Sequence, residues 1–288
     1  MQTILEDLRT GEVSSYEIPE PELRPGGILV NTAFSAISAG TERAKIEQGS
    51  KSLLNKAMSR PDLVRQVLDY ARAEGIKSAY QRVQNRLDTL SQLGYSCAGT
   101  VIAVGSGVSE FRVGDRVACA GGGYANHSQI NFVPQNLAVK VPEAVPLQSA
   151  ALTTIGAIAV QGLRQSGAAF GETIAVIGAG LMGVLTIQLA KAAGCRVIAI
   201  DLNSERVERA KSFGADLGLS SADPAAPSII ADFTSCGVDS VIITAATPSA
   251  DPLELAAKSR AIAPKLSSLA TLVWVSRAST CTTRSSPS

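Results

Sequence analysis

The chain has 288 residues, 45% of them hydrophobic and 18% charged, with a net charge of +1. This fits a globular protein with room for about two domains, and gives no global field to recruit nucleic acid or an anionic membrane. Aromatics at 4% offer few stacking platforms for bases, and none of the five cysteines (Cys97, Cys119, Cys195, Cys236, Cys281) forms a Cys-x-x-Cys pair.

At the N-terminus, MQTILEDLRTGE is charged and lacks an apolar stretch, so no signal peptide is visible and a cytoplasmic protein with reduced thiols is expected. Short strands and turns run to about Ile37. Next, Leu63, Val64, Val67, Leu68 and Ala71 recur at helical spacing, and a second helical stretch holds Tyr80, Val83 and Leu87. These read as two amphipathic helices packed on the domain; a lid, or the contact of a homo-oligomer, is the alternative. Strands return from Gly94 to Pro142. The stretch VPLQSAALTTIGAIAVQGLRQSG reads as one helix.

From there strand and helix alternate: Thr173–Ile177, Leu181–Ala193, Arg196–Ile200, Ser204–Phe213, Val238–Thr244 and Pro252–Lys258. Such alternation implies a parallel, doubly wound sheet. The uncharged run Thr173 to Ala190 approaches the length of a membrane span, but its glycines cluster between a β-branched strand and a helix, so no membrane partner is expected.

Within VIGAGLMG, Gly178, Gly180 and Gly183 have the G-x-G-x-x-G spacing, after a strand and opening a helix. Gly178 serves the tight turn, Gly180 lets backbone approach a pyrophosphate, and Gly183 lets helix and strand pack closely. The helix N-terminus at Leu181 and Met182 offers amides to phosphates. Asp201 ends the second strand, where a carboxylate accepts hydrogen bonds from a ribose. Its charge favours NAD, since a 2′-phosphate would meet it at short range. Arg206 is the residue that would favour NADP. With no acid three or four positions away, it reads instead as a solvated helix residue.

Together these residues resemble the medium-chain dehydrogenase/reductase superfamily, the relatives of zinc-type alcohol dehydrogenases. GTVIAVGSGVSEFRVGDRVA, YANHSQINFVPQNLAVKVPEAVPLQSAAL and VIGAGLMGVLTIQLAKAAGCRVIAIDLNSERVERAKSFGAD follow the order of that family's blocks. The resemblance implies an α/β chain: a GroES-like domain (1–145, with a helical insert at about 43–92) and a Rossmann domain (146–258) that binds NAD or NADP. The active site lies in the cleft between them, and the substrate is a small alcohol, carbonyl or sugar. SAISAGTE followed by the insert is similar to the dehydrogenase part of two-domain oxidoreductases.

The family's zinc ligands are not carried over, so no zinc is expected. The first ligand position falls at Ser38 or Ala39, the next motif has Tyr95 and Ser96, and the third has Thr153 and Thr154. His127 has no visible partner. To stabilise a developing alkoxide without a metal, hydrogen-bond donors are needed. Ser38, Thr41 and Tyr95 stand at the right motif positions, and Glu42 is placed to accept a proton or anchor a sugar hydroxyl. The rival readings are a quinone or enone reductase and a non-catalytic dinucleotide-binding remnant.

Residues 259–288 fit the family poorly. Translated two bases on, one codon choice for this tail gives an apolar strand and a family-like turn, so a frameshift near Ser259 is the expectation. The sheet would then lack its last family strands and be left with an exposed edge, although SLATLVWV has the composition to substitute as a strand.

Overall fold

The computed structural model describes residues 1–38, 40, 42, 61–75, 77–78, 81, 90–235, 237–245, 247, 249–259, 264–269 and 273–278. Thr41, Ala39 and most of the expected helical insert lie outside the described residues. The chain divides into two units, Met1–Thr154 and Ile155–Ser288.

The first unit contains β1 (Gln2–Asp7), β2 (Val13–Glu17), β3 (Gly27–Ser35), α1 (Pro61–Glu74), β4 (Leu90–Gln92), β5 (Ser96–Val104), β6 (Arg116–Ala120), β7 (Ile130–Pro134), β8 (Ala138–Lys140) and α2 (Leu147–Ala150). A five-stranded antiparallel sheet runs β7-β3-β5-β6-β8, and a three-stranded sheet runs β2-β1-β4. Side chains alternate across the larger sheet. Cys97, Val101, Val117 and Cys119 join Ile28, Val30 and Phe111 in one cluster. On the other face Ala98 and Ala118 are small enough for Ala150 and Ala151 to pack against them.

α3 (Thr153–Ser166) begins at the division. The single helix expected across this stretch is broken at Ala151 and Leu152, where the Thr153 hydroxyl donates to the Ala150 carbonyl at 2.6 Å.

The second unit continues with β9 (Thr173–Ile177), α4 (Leu181–Ala192), β10 (Arg196–Asp201), α5 (Ser204–Ser212), β11 (Leu217–Ser220), α6 (Ala226–Thr234), β12 (Ser240–Ile243), α7 (Asp251–Lys258), β13 (Pro264–Leu269) and β14 (Val273–Ala278). All five residues of β9 are buried. They divide by the period of two: Ile174 and Val176 join Val197, Ala199 and Ile242 beneath Ile187 and Ala190 of α4. Ala175 and Ile177 join Ile198, Ile200, Val241 and Ile243 against Ile230 of α6 and Ala256 of α7. Helices therefore cover both faces, which is why these strands are almost wholly apolar. Each fully buried isoleucine stabilises by about 1.5–3 kcal/mol.

The sheet order is β11-β10-β9-β12-β14-β13. From β11 to β12 the strands are parallel. The chain steps outward from β9 through β10 and β11, then returns to place β12 on the other side of β9. The direction reverses at the carboxyl end of β9, the position where open α/β sheets take ligands. The sequence pattern offers no element between Phe213 and Val238. The structure places β11 and α6 there, the first only four residues long and glycine-containing. The edge expected to lie open beside β12 is paired: β14 joins it antiparallel, and β13 pairs with β14. Among the described residues no helix is long and apolar enough to cross a membrane.

Candidate functional site

In the second unit the site begins where β9 ends. Gly178 has φ 104°, and a Cβ there would lie 2.6 Å from the Ala245 nitrogen. A Cβ on Gly183 would lie 1.8 Å from the Gly178 carbonyl oxygen, so only glycine lets α4 approach the turn. The Thr244 hydroxyl donates to that same carbonyl at 2.6 Å. Thr244 is a participant that the motif gives no means of finding, because it arrives from β12.

Gly180 differs from its two neighbours. A Cβ there meets nothing within 4 Å. Gly180 is the N-cap of α4 and provides no side-chain cap for the first-turn amides at Leu181, Met182 and Gly183. Leu181 is exposed at the rim, and the Met182 carbonyl accepts from the Thr186 hydroxyl.

Asp201 closes the other side. Its Oδ2 accepts from the Ala179 amide at 2.7 Å and its Oδ1 from the Asn203 amide at 2.9 Å. Asn203, not Asp201, caps α5, accepting from the Glu205 and Arg206 amides. Arg206 is exposed, as a solvated helix residue should be, but it is not unpaired. Its Nη1 lies 4.0 Å from Asp201 Oδ2, because the β10–α5 turn brings an acid five positions back alongside it.

The first unit gathers a second group of residues. His127 has two side-chain partners that the sequence does not make visible. Nδ1 lies 2.8 Å from the Ser35 hydroxyl and Nε2 lies 3.2 Å from Glu42 Oε1. Both partners are remote in sequence, 92 and 85 positions away, which is why inspection of the motif around His127 misses them. Glu42 Oε1 also accepts from the Ser38 amide at 3.1 Å, and the Glu42 amide donates to the Ser38 carbonyl. Gly94, at φ 91°, makes room: a Cβ there would lie 2.8 Å from the His127 nitrogen and 3.0 Å from its Nδ1.

The hydroxyls at the expected ligand positions are spent on backbone. Ser96 donates to the Ala151 carbonyl at 2.6 Å and Thr154 to the Cys119 carbonyl at 3.3 Å. Tyr95 is partly exposed, and its phenol makes no hydrogen bond among the described residues. Cys97 and Cys119 face each other across the β5–β6 ladder, both buried. The hydrogen bond with Cys97, together with burial, pushes the Cys119 thiol far above its ordinary range. Among the described residues no three His, Cys, Asp or Glu side chains are grouped to hold a metal ion.

Comparison with known proteins follows these two groups. Residues 69–162 match the alcohol dehydrogenase GroES-like domain, and residues 182–263 match the zinc-binding dehydrogenase domain. An alcohol dehydrogenase of Geobacillus stearothermophilus is 33% identical over 192 residues, covering 54% of this chain and 55% of the relative. The chain thus spans about half the length of that relative. Among solved structures, 2R,3R-butanediol dehydrogenase of Bacillus subtilis superposes with a TM-score of 0.68 at 22% identity, covering 91% of this chain and 74% of the other. A quinone oxidoreductase of Pseudomonas syringae gives a TM-score of 0.67 at 21% identity, covering 90% and 70%. With the two domain matches in the expected order, the chain belongs to the medium-chain dehydrogenase/reductase superfamily.

Proposed function

We propose that this chain is an NAD(P)-dependent oxidoreductase that moves hydride between a nicotinamide dinucleotide and a small alcohol, carbonyl or sugar-type substrate, without zinc. The observation that carries the reading is the open space at Gly180. Gly178 and Gly183 are glycines because the chain itself crowds them, whereas Gly180 is crowded by nothing in the chain. A pyrophosphate backed by the first-turn amides of α4 accounts for it. Asp201 keeps lone pairs for a ribose beside this turn, and NAD is the preferred cofactor, with Arg206 the residue that would admit NADP. When bound, the nicotinamide ring supplies the two-electron hydride acceptor or donor.

Among the described residues of the first unit the donors do not fit a zinc ion. Zinc takes thiolate, neutral imidazole or carboxylate, and here both nitrogens of the sole histidine are engaged, Cys97 and Cys119 are buried against each other, and Ser96 and Thr154 are tied to carbonyls. No step is assigned to a metal. Ser38, Thr41 and Tyr95 are the proposed hydrogen-bond donors to the substrate oxygen, each worth roughly 10²–10³-fold in turnover if it acts as an oxyanion donor. The same metal-free set suits a conjugated enone or quinone, so a substrate panel must include both classes.

Titration of the full chain with NADH and NADPH, followed by nicotinamide fluorescence, tests the reading. Saturable binding that tightens the thermal transition is expected. A folded protein that binds neither nucleotide overturns it.

A further inference from the structure

We propose that Glu42 is the general base of the first unit, and that His127 and Ser35 are positioning residues that aim it. This assignment rests on the hydride-transfer reading above and selects proton acceptance over the anchoring of a sugar hydroxyl.

The first argument is the way the carboxylate is held. Glu42 is buried, and among the described residues no lysine or arginine pairs with it. A buried carboxylate needs donors to persist in its charged form. Glu42 has two, the Ser38 amide and the His127 ring, and both fall on Oε1. Oε2 takes no hydrogen bond among the described residues. One oxygen is anchored and the other is presented, which is the geometry of a proton acceptor rather than of a structural ion pair.

The second argument is proton counting along the chain of bonds. An ionised Glu42 has no proton to give, so Nε2 must carry the hydrogen of the 3.2 Å contact. In a neutral ring Nδ1 is then the acceptor, and the 2.8 Å contact must be donated by the Ser35 hydroxyl. Ser35 thereby sets the tautomer, and the ring holds the carboxylate. The residue's backbone is held as well: the His127 amide donates to the Leu93 carbonyl, its carbonyl accepts from the Ile4 amide, and a Cβ on Gly94 would lie 3.0 Å from Nδ1. Glu42 is the ionisable side chain in hydrogen-bond contact with it.

In alcohol oxidation a bound nicotinamide would accept the hydrogen and electron pair of the breaking carbon–hydrogen bond. The hydroxyl proton passes to Glu42 Oε2, and the electron pair of the broken O–H bond becomes the second bond of the carbonyl. The proton on Glu42 then leaves to solvent. Carbonyl reduction is the reverse.

Because His127 is the chain's one histidine, its ring can be observed without assignment. On the full chain with NADH, ¹⁵N spectra are expected to show the neutral tautomer protonated at Nε2. A tautomer protonated at Nδ1 overturns the proposal, since a lone pair would then face the carboxylate. In parallel, the pH profile of NAD⁺-linked oxidation of an alcohol and polyol panel is compared for wild type, Glu42→Gln, Ser35→Ala and Ser35→Thr. Glu42→Gln is expected to lower kcat by at least about 100-fold and to remove the acid limb. Ser35→Ala is expected to displace that limb, and Ser35→Thr to restore it. An unchanged limb in Glu42→Gln or Ser35→Ala overturns the proposal, as does NADH binding with no turnover of any alcohol. Failure of the folded protein to bind either NADH or NADPH instead defeats the hydride-transfer reading, and the base assignment with it.

Discussion

Asp201, the last residue of β10, accepts the Ala179 amide on Oδ2 at 2.7 Å, so the carboxylate expected to meet a ribose also pins the glycine turn that follows β9. A structural contact and the proposed cofactor contact therefore fall on one side chain. Asp201→Ala leaves the Ala179 and Asn203 amides without their acceptor, at a cost of about 1–3 kcal/mol. Denaturant unfolding is expected to show that loss, and NADH affinity should fall at least about tenfold. Unchanged affinity would remove Asp201 from the cofactor site.

The two outer glycines of the turn and the middle one fail differently. Gly183→Ala places a Cβ 1.8 Å from the Gly178 oxygen, so α4 must shift and the thermal midpoint should drop by several degrees. Gly180→Ala enters open space and should leave the midpoint nearly unchanged while weakening NADH binding. Calorimetry with and without NADH separates these outcomes.

Arg206 is over half exposed and 4.0 Å from Asp201, a pair worth less than about 1 kcal/mol to stability. Arg206→Ala should therefore leave the fold intact. It should change NADH affinity by less than about threefold and lower NADPH affinity by about tenfold, the value of one charge-assisted contact. Equal losses for both nucleotides would mean that Arg206 does not face the 2′ position.

If no metal takes part, treatment with a zinc chelator should leave turnover and the thermal midpoint unchanged, and elemental analysis should find well under one zinc per chain. Loss of activity on chelation, restored by zinc, would reverse this part of the functional reading.

Asp216 gives the second unit an acid limit. Burial alone would raise its carboxyl, but the 2.9 Å salt bridge with Lys191 and the Val197 amide outweigh burial and hold it below the usual range. A carboxyl lowered in the folded state stabilises it above the unfolded pKa near 4. That contribution drains away as pH falls through the lower, folded value. Asp216→Asn should cost about 1 kcal/mol at neutral pH through the weakened hold on the Val197 amide. It should also flatten the loss of stability below pH ~4, measured by unfolding across pH.

Much of the second unit was legible because its code is local. The buried run of β9, the glycines at fixed offsets and the acid at the end of β10 all lie within one stretch of chain, and periodicity reports them directly. β11 was not legible, since Leu-Gly-Leu-Ser is short and its glycine leaves it too few side chains to signal a strand; only its ladder with β10 makes it one. SLATLVWV has the composition of a strand, but that β14 pairs with β12 depends on pairing rather than on pattern.

By itself, then, the sequence determined the order of elements, the dinucleotide turn and the lack of zinc-type residues at the family's ligand positions, because each is a matter of residue type and short spacing. Tertiary structure decided which side chains work together. Ser35 and Glu42 lie 92 and 85 positions from His127 along the chain, yet both come within 3.2 Å of its ring. Hydrogen bonds act over a few ångströms of space, and no spacing along the chain encodes such a meeting.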